Sequence, residues 1–324
     1  MQEESNILVS VIVVTCGIKN YLRLCLDSLR GQTHGSLEII VIDNSLNRGF
    51  RQEFIRRYPE VKLYSEAYNL FYTGALNKGL KLSRGNFILC LNDDVVLDKR
   101  FIQEALCGFS QDVSVGMVSG KILRSDGVTI DSTGLFLSPW RTARERGYDS
   151  KDRAQFNHPG YIFGVNGAVA FYRRKMLESI KINSEYFDSD FRMFYEDLDI
   201  AWRGNLFGWR AYYIPQAIAY HIRGGSVRQG AGIDQLYARR YLSDELHLDL
   251  IKNRHLCIIK NESALGFLIH LPFILCYDFL ILGYILFFRP CLIKKIPSNL
   301  RYLKSGLEKI RIIKNKLNKQ RQSL

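Results

Sequence analysis

Residues 7 to 14 read "ILVSVIVV", a continuous apolar run rich in β-branched side chains. A strand with apolar residues on both faces is stable only when both faces are covered, which predicts a central strand of a parallel sheet flanked by helices. Leu22, Cys25, Leu26 and Leu29 follow at i, i+3, i+4 and i+7, the stripe of an amphipathic helix that Gly31 can close. "LEIIVID" predicts a second strand, residues 50 to 58 a short helix, "VKLYSE" a third strand, "YTGALNKGLKLSRG" a helix and "NFILCLNDD" a fourth strand. This βαβαβαβ order predicts right-handed crossovers and an open, mostly parallel α/β sheet, with ligands at the strand C-termini where strand order reverses. Between residues 113 and 172 the spacing turns irregular, around the basic loop "PWRTARERG", and predicts a smaller mixed sheet. Helical periodicity returns at 196 to 207, and "WRAYYIP" and "AIAYHI" read as late strands.

The net charge of +13 raises nucleic acid as a partner, but the excess is local. From Arg289 to the C-terminus there are eleven Lys or Arg and one acid, Glu308, so this stretch carries ten of the thirteen charges. No recognised nucleic-acid-binding module precedes it, which makes nucleic acid the weaker partner. "MQEESN" lacks the basic flank and apolar run of a secretory signal, so the body is expected in the cytoplasm. The seven cysteines, at 16, 25, 90, 107, 257, 276 and 291, form no C-x-x-C pair and mostly sit in apolar runs, which predicts buried, reduced thiols. No G-x-G-x-x-G follows the first strand, against a dinucleotide oxidoreductase.

Polar groups at the predicted strand ends are the candidates for chemistry. Asp43, Asn44 and Ser45 end the second strand; Asp43 is either a turn former or a ligand contact. Asn92, Asp93 and Asp94 end the fourth. Asp93 and Asp94 could cap a helix, but two adjacent like charges are better offset by a divalent cation and a diphosphate, and carboxylate oxygens suit Mg²⁺ or Mn²⁺. Asn69, Gly74 and Asn77 open the third predicted helix, where amides could contact a nucleotide. In "FYEDLDIAW", Glu196, Asp197 and Asp199 point to different azimuths of one helix, so some serve only its N-terminus, while one carboxylate bordered by Phe194, Tyr195 and Trp202 can act as a general base. His221 ends a strand and reads as a core histidine, a proton carrier or a metal ligand.

"SVIVVT", "EIIVIDNS", "GALNKG", "LNDDVVL", "NGAVAFYRR", "YEDLDIAWR", "GWRAYYIPQAIAYH" and "GGS" occur in the order found in family 2 glycosyltransferases, so the chain resembles that family over residues 7 to 228, and within it most resembles bacterial rhamnosyltransferases. The resemblance implies a GT-A fold, with a nucleotide-binding parallel sheet running into a mixed acceptor half. It further implies that Thr15 and Asp43 contact the pyrimidine, Asp93 the ribose and Asp94 the metal, with His221 completing the metal site. Glu196 and Asp197 match the family's ED motif, whose Asp is the general base of an inverting transfer. Cys16 and Gly17 stand where relatives often carry Tyr-Asn, and Phe71 where a Gly is usual; both bear on the choice between uracil and thymine. The implied donor is dTDP-rhamnose, with UDP-galactofuranose or another UDP-hexose behind it, and the acceptor a lipid-linked glycan. A non-catalytic nucleotide-sugar-binding membrane scaffold is the alternative of another class.

Residues 1 to 260 are thus expected to form the GT-A domain, and 261 to 324 a set of membrane-associating helices. "ALGFLIHLPFILCYDFLILGYILFF", residues 264 to 288, is long enough to span a bilayer. His270, Pro272 and Asp278 argue instead for two interfacial helices or a hairpin dipping into one leaflet, with packing on the body or on a second copy in a homo-oligomer as the alternative. Leu300, Leu303, Leu307, Ile310, Ile313 and Leu317 then repeat at helical spacing among Lys and Arg, a basic amphipathic helix suited to an anionic cytoplasmic leaflet.

Overall fold

The computed structural model describes residues 7–17, 20–45, 51–222 and 242–322. The "GGS" motif at 224 to 226 lies outside them. The frame is one ten-stranded sheet. β1 (Val9–Thr15), buried throughout, is parallel to β2 (Leu37–Asp43) on one side and to β4 (Phe87–Asn92) on the other, and β3 (Lys62–Ser65) pairs beyond β2. α1 (Asn20–Arg30), α2 (Arg51–Arg57) and α3 (Phe71–Leu82) connect these strands, as the sequence predicts. Alternate residues of β1 feed opposite layers. Val9, Val11 and Val13 pack with Leu22, Leu26 and Phe54, whereas Ile12 and Val14 pack with Ala75, Leu76 and Leu80.

β5 (Val95–Leu97) and α4 (Phe101–Phe109) lead into β6 (Val115–Arg124), β7 (Ile130–Ser132), β8 (Leu135–Leu137), β9 (Ala143–Glu145), β10 (Gly160–Ile162) and β11 (Val169–Arg173). α5 (Arg174–Ser179), α6 (Glu196–Leu206) and β12 (Arg210–His221) follow. The region between 113 and 172 forms the mixed part of the sheet, as expected, and it is continuous with the parallel part. β11 inserts antiparallel between β4 and β6, so the main sheet continues through it in the order β10-β12-β6-β11-β4-β1-β2-β3, and β8 and β9 form a hairpin of their own. The two late strands are one, β12, whose register with β6 slips between Ile214 and Ile218, around Pro215, which has no N–H to give a ladder. Gly120 of β6 meets this irregularity; a Cβ there would collide with the carbonyl of Ala217.

At the C-terminus come α7 (Asp244–Asn261), α8 (Ala264–Phe288), a 3₁₀ stretch (Pro290–Asn299) and α9 (Leu300–Gln322). The expected break in the apolar segment does not occur: α8 is one 25-residue helix, capped by Ser263, with Pro272 inside it. One face is fixed to the body along its whole length, by His270 to Arg141 (2.7 Å), Asp278 to Arg254 (2.5 Å) and buried Ile274 and Ile285. These anchors on both sides of Pro272 offset the lost helical hydrogen bond. α9 also departs from expectation. Ile313 is buried in the main core while Leu303 and Leu307 stay exposed, and Ser305, Lys309 and Lys316 bond to Asp190, Asp188 and the carbonyl of Lys181. Of the cysteines, 25, 90 and 257 are buried as expected, but 16, 107, 276 and 291 are exposed.

Candidate active site

β1, β2 and β4 end side by side, with Thr15 opposite Asp43 and Val14 opposite Asn92. There Thr15 Oγ1 donates to Asp93 Oδ2 at 2.7 Å. Asp43 is buried; its Oδ1 accepts the Ser45 N–H at 2.9 Å, and its Oδ2 has no hydrogen-bond partner among the described residues. The turn reading of Asp43 accounts for Oδ1, and Oδ2 takes no part in the turn. Asn69 is exposed and accepts the Phe71 N–H at 2.7 Å, an Asx turn leading into α3. Asn77 corrects the expectation placed on it. It lies inside α3, not at its start, and is buried: Oδ1 accepts the N–H groups of Tyr186 and Phe187, both at 3.0 Å, and Nδ2 donates to the Phe187 carbonyl at 2.6 Å. Its amide is engaged by backbone and does not face a nucleotide.

Asp94 and His221 meet where β12 pairs with β5, with Nε2 and Oδ1 3.3 Å apart. His221 Nδ1 sits 2.8 Å from Oδ2 of Asp131, the middle residue of β7. Burial disfavours the imidazolium, but the hydrogen bonds to Asp131 and Asp94 outweigh it and carry His221 up to about 9. A carboxylate behind a histidine, with the other ring nitrogen aimed at a second carboxylate, is the arrangement that orients a metal ligand. Among the described residues no three His, Cys, Asp or Glu gather as a complete cation cage. Asp94 and His221 bring a carboxylate and an imidazole together, the groups here that could hold a cation, and Mg²⁺ commonly takes its remaining ligands from water and substrate phosphates.

Glu196, Asp197 and Asp199 occupy the first turn of α6. Asp199 is structural: fully buried, it pairs with Arg203 and with Lys260, both at 2.9 Å, and these cations outweigh burial to hold its carboxyl below its ordinary value. Asp197 is only partly covered, and its Oδ2 accepts the Gly167 N–H at 3.2 Å. Burial raises its carboxyl, against the N–H groups of Leu198 and Gly167. Burial and the charge of Asp197 push Glu196 up to about 8, and Glu196 Oε2 has no partner among the described residues.

The two acidic patches, a hundred residues apart in sequence, converge. Tyr72 donates to Asn92 Oδ1 at 2.9 Å and lies 3.1 Å from the Gly167 carbonyl, while Gly167 N–H holds Asp197. Gly167 suits this approach, because a Cβ would stand 3.3 Å from the Asp197 side chain, a tight contact that Asp197 would have to yield to. A second path runs from His221 through Asp131 to its neighbour Ser132, which donates to Glu145; Glu145 accepts from Asn166 at 2.6 Å, next to Gly167. Burial and the Asp197 charge raise Glu145 to about 8, against its hydrogen bonds from Ser132 and Asn166. Sequence reasoning missed Tyr72, Asp131 and Glu145. Asn166 and Gly167 did stand in a quoted motif, "NGAVAFYRR".

An open parallel sheet with acidic groups at its strand ends, running into an antiparallel half, is the architecture of nucleotide-sugar-binding GT-A proteins. The mannosyltransferase PcManGT from Pyrobaculum calidifontis, solved with GDP-Man and Mn²⁺, superposes with a TM-score of 0.55 at 17% identity, over 93% of this chain and 76% of that one. The fold is of the GT-A type. The family model described as glycosyl transferase family 2 matches residues 10–181, more than half of the chain, and the chain belongs to that family. Over 245 residues it is 24% identical to N-acetylglucosaminyl-diphospho-decaprenol L-rhamnosyltransferase of Mycobacterium tuberculosis, covering 67% of this chain and 76% of that protein. Glycosyltransferase GlyA of Streptococcus pneumoniae is 28% identical over 114 residues, which span 33% of this chain and only 16% of GlyA.

Proposed function

We propose that the protein is a cation-dependent, inverting glycosyltransferase that moves a sugar, first L-rhamnose from dTDP-rhamnose, onto a hydroxyl of a lipid-linked glycan. A UDP-hexose or UDP-galactofuranose donor is the second choice. The observation that carries this reading is the hydrogen-bonded path from Asn92 through Tyr72 and Gly167 to Asp197, which sets a basic carboxylate beside the strand ends that bear Asp93 and Asp94. The rhamnosyltransferase relative supports the donor and the lipid-linked acceptor, and the Mn²⁺ in the mannosyltransferase supports the cation.

In this reading Thr15 and Asp43 receive the base and Asp93 the ribose. Asp94 and His221 hold Mg²⁺ or Mn²⁺, with Asp131 fixing the imidazole tautomer. The bound cation supplies positive charge against the leaving diphosphate. Asp197 accepts the proton of the acceptor hydroxyl as its oxygen bonds to the anomeric carbon; the old bond to the diphosphate breaks with its electron pair, and the configuration inverts. Nucleoside diphosphate release by purified protein tests this. Turnover is expected with Mg²⁺ or Mn²⁺, to vanish with EDTA, and to fall at least about 10²-fold in Asp94→Ala; turnover indifferent to chelation would overturn it.

α8 supports a location on the membrane surface. It is the one helix among the described residues long and apolar enough to cross a bilayer. Because the body is fixed along its whole length, a position in the plane of the cytoplasmic leaflet fits better than a span, which would drag Arg254 and Arg141 into hydrocarbon. Leu268 and Phe279 on its bare face are 66% and 68% exposed, and Lys294, Lys295 and Lys304 are exposed nearby in sequence. Leu268→Glu with Phe279→Glu is expected to abolish cosedimentation with vesicles containing phosphatidylglycerol while the Tm stays within about 3 °C, since neither side chain is buried.

A further inference from the structure

The segment before α6 is unusual. Arg192, Phe194 and Tyr195 have φ of 61°, 69° and 68°, in the left-handed region that non-glycine residues avoid unless their surroundings hold them there. Tyr195 is the N-cap of α6 and makes no side-chain capping bond, so the start of the helix, and with it the first-turn carboxylates, is set by this turn instead of by a cap.

What holds the turn comes from α7. Asn253 is completely buried, and its Nδ2 lies 2.9 Å from the carbonyl of Phe191, 2.7 Å from that of Met193 and 2.8 Å from that of Phe194. Two amide hydrogens serve three convergent carbonyls. One turn further along the same helix face, Cys257 Sγ sits 3.7 Å from the Tyr195 carbonyl. From the other side, the N–H groups of Tyr72 and Thr73 donate to the Arg192 carbonyl at 3.0 and 3.1 Å, tying the turn to the helix that carries Tyr72.

We propose that Asn253 is a positioning residue for Asp197: its amide gathers the carbonyls of the left-handed turn and so fixes where α6 begins, which gives this one side chain of α7 a part in placing the base. The proposal rests on the reading of Asp197 as the base. An Asp in place of Asn253 keeps the shape but sets a carboxylate oxygen against the carbonyls; a Ser keeps a single, shorter donor. The turn then relaxes and Asp197 moves away from Gly167, while the strand ends that would bind nucleotide stay in place.

The test is steady-state turnover of the donor that proves active among dTDP-rhamnose, UDP-galactofuranose and the UDP-hexoses, with titration of its nucleoside diphosphate in Mn²⁺, on Asn253→Asp and Asn253→Ser. Ile258→Ala, a buried residue of the same helix with no side-chain bond to the turn, serves as the packing control. Rates are normalised to folded protein. The expected result is a kcat about 10²-fold lower in Asn253→Asp and intermediate in Asn253→Ser, the size of loss a misplaced reacting group causes. Nucleotide affinity and donor KM should stay within about 3-fold in both, and Ile258→Ala should retain its kcat. Should Asn253→Asp not fold, Asn253→Ser carries the comparison. A fall in kcat no greater than in Ile258→Ala, or an equal loss of nucleotide affinity, overturns the proposal. Full activity in Asp197→Asn would instead remove the base assignment, and the target of the clamp with it, so the two failures are told apart.

Discussion

Asp197→Asn is expected to lower transfer about 10³-fold, within the range general bases supply, while nucleotide binding changes little. The substitution keeps the shape, and its single oxygen can still accept from Gly167 or from Leu198, but it cannot accept the proton of an incoming hydroxyl. The pH profile carries the sign. Burial holds Asp197 above its ordinary value, and its neighbour Glu196 rises to about 8, so the pair exchanges protons above the usual carboxylate range near pH ~4. A base works ionised. The rate should therefore climb with pH through a limb set by the pair, and Asp197→Asn should flatten that limb as well as lower it. An unchanged kcat would remove Asp197 from the chemistry.

The largest stability effect is expected at Lys260. Its ammonium is fully buried and reaches Asp188 at 2.5 Å and Asp199 at 2.9 Å, while Lys309 from α9 also meets Asp188 at 2.5 Å. Removing one partner from a buried ionic cluster leaves the others uncompensated, at a cost of about 3–5 kcal/mol. Lys260→Met should thus lower Tm by roughly 10 °C. Burial opposes ionisation of Asp188 and Asp199, but the surrounding cations outweigh it and hold both below their ordinary value. Their contribution is therefore present above about pH 4 and lost as pH falls through the depressed values. Lys260→Met should weaken that acid dependence too. A variant as stable as the parent would show the cluster to be neutral.

The parallel half was legible because its signals are local. β1 and β4 are mainly apolar runs, broken in β1 by Ser10 alone before its terminal Thr15, and α1 shows a clean stripe from Leu22 to Leu29. β6 hid itself: Gly116, Ser119, Gly120 and Lys121 break its apolar pattern, yet all ten residues are buried, the glycines because Met176 and Ala217 approach too closely for a side chain. The site divided in the same way. Acids that end a strand, as Asp43 does, or follow directly on one, as Asp93 and Asp94 do, announce themselves. Asp131 and Glu145 do not, since what marks them is contact with His221, Ser132 and Asn166, brought together only by the fold. Asn77 misled for the converse reason: a polar residue in a helix looks the same in sequence whether its amide meets a ligand or the backbone of Tyr186 and Phe187.

The division of labour between the two acidic patches is tested most directly by calorimetric titration of dTDP and UDP, with and without Mn²⁺, into the parent protein, Asp94→Ala and Asp197→Asn. The parent should bind one nucleotide more tightly when Mn²⁺ is present, Asp94→Ala should lose that gain, and Asp197→Asn should keep it in full. An undiminished Mn²⁺ effect in Asp94→Ala, or its disappearance in Asp197→Asn, would contradict the account.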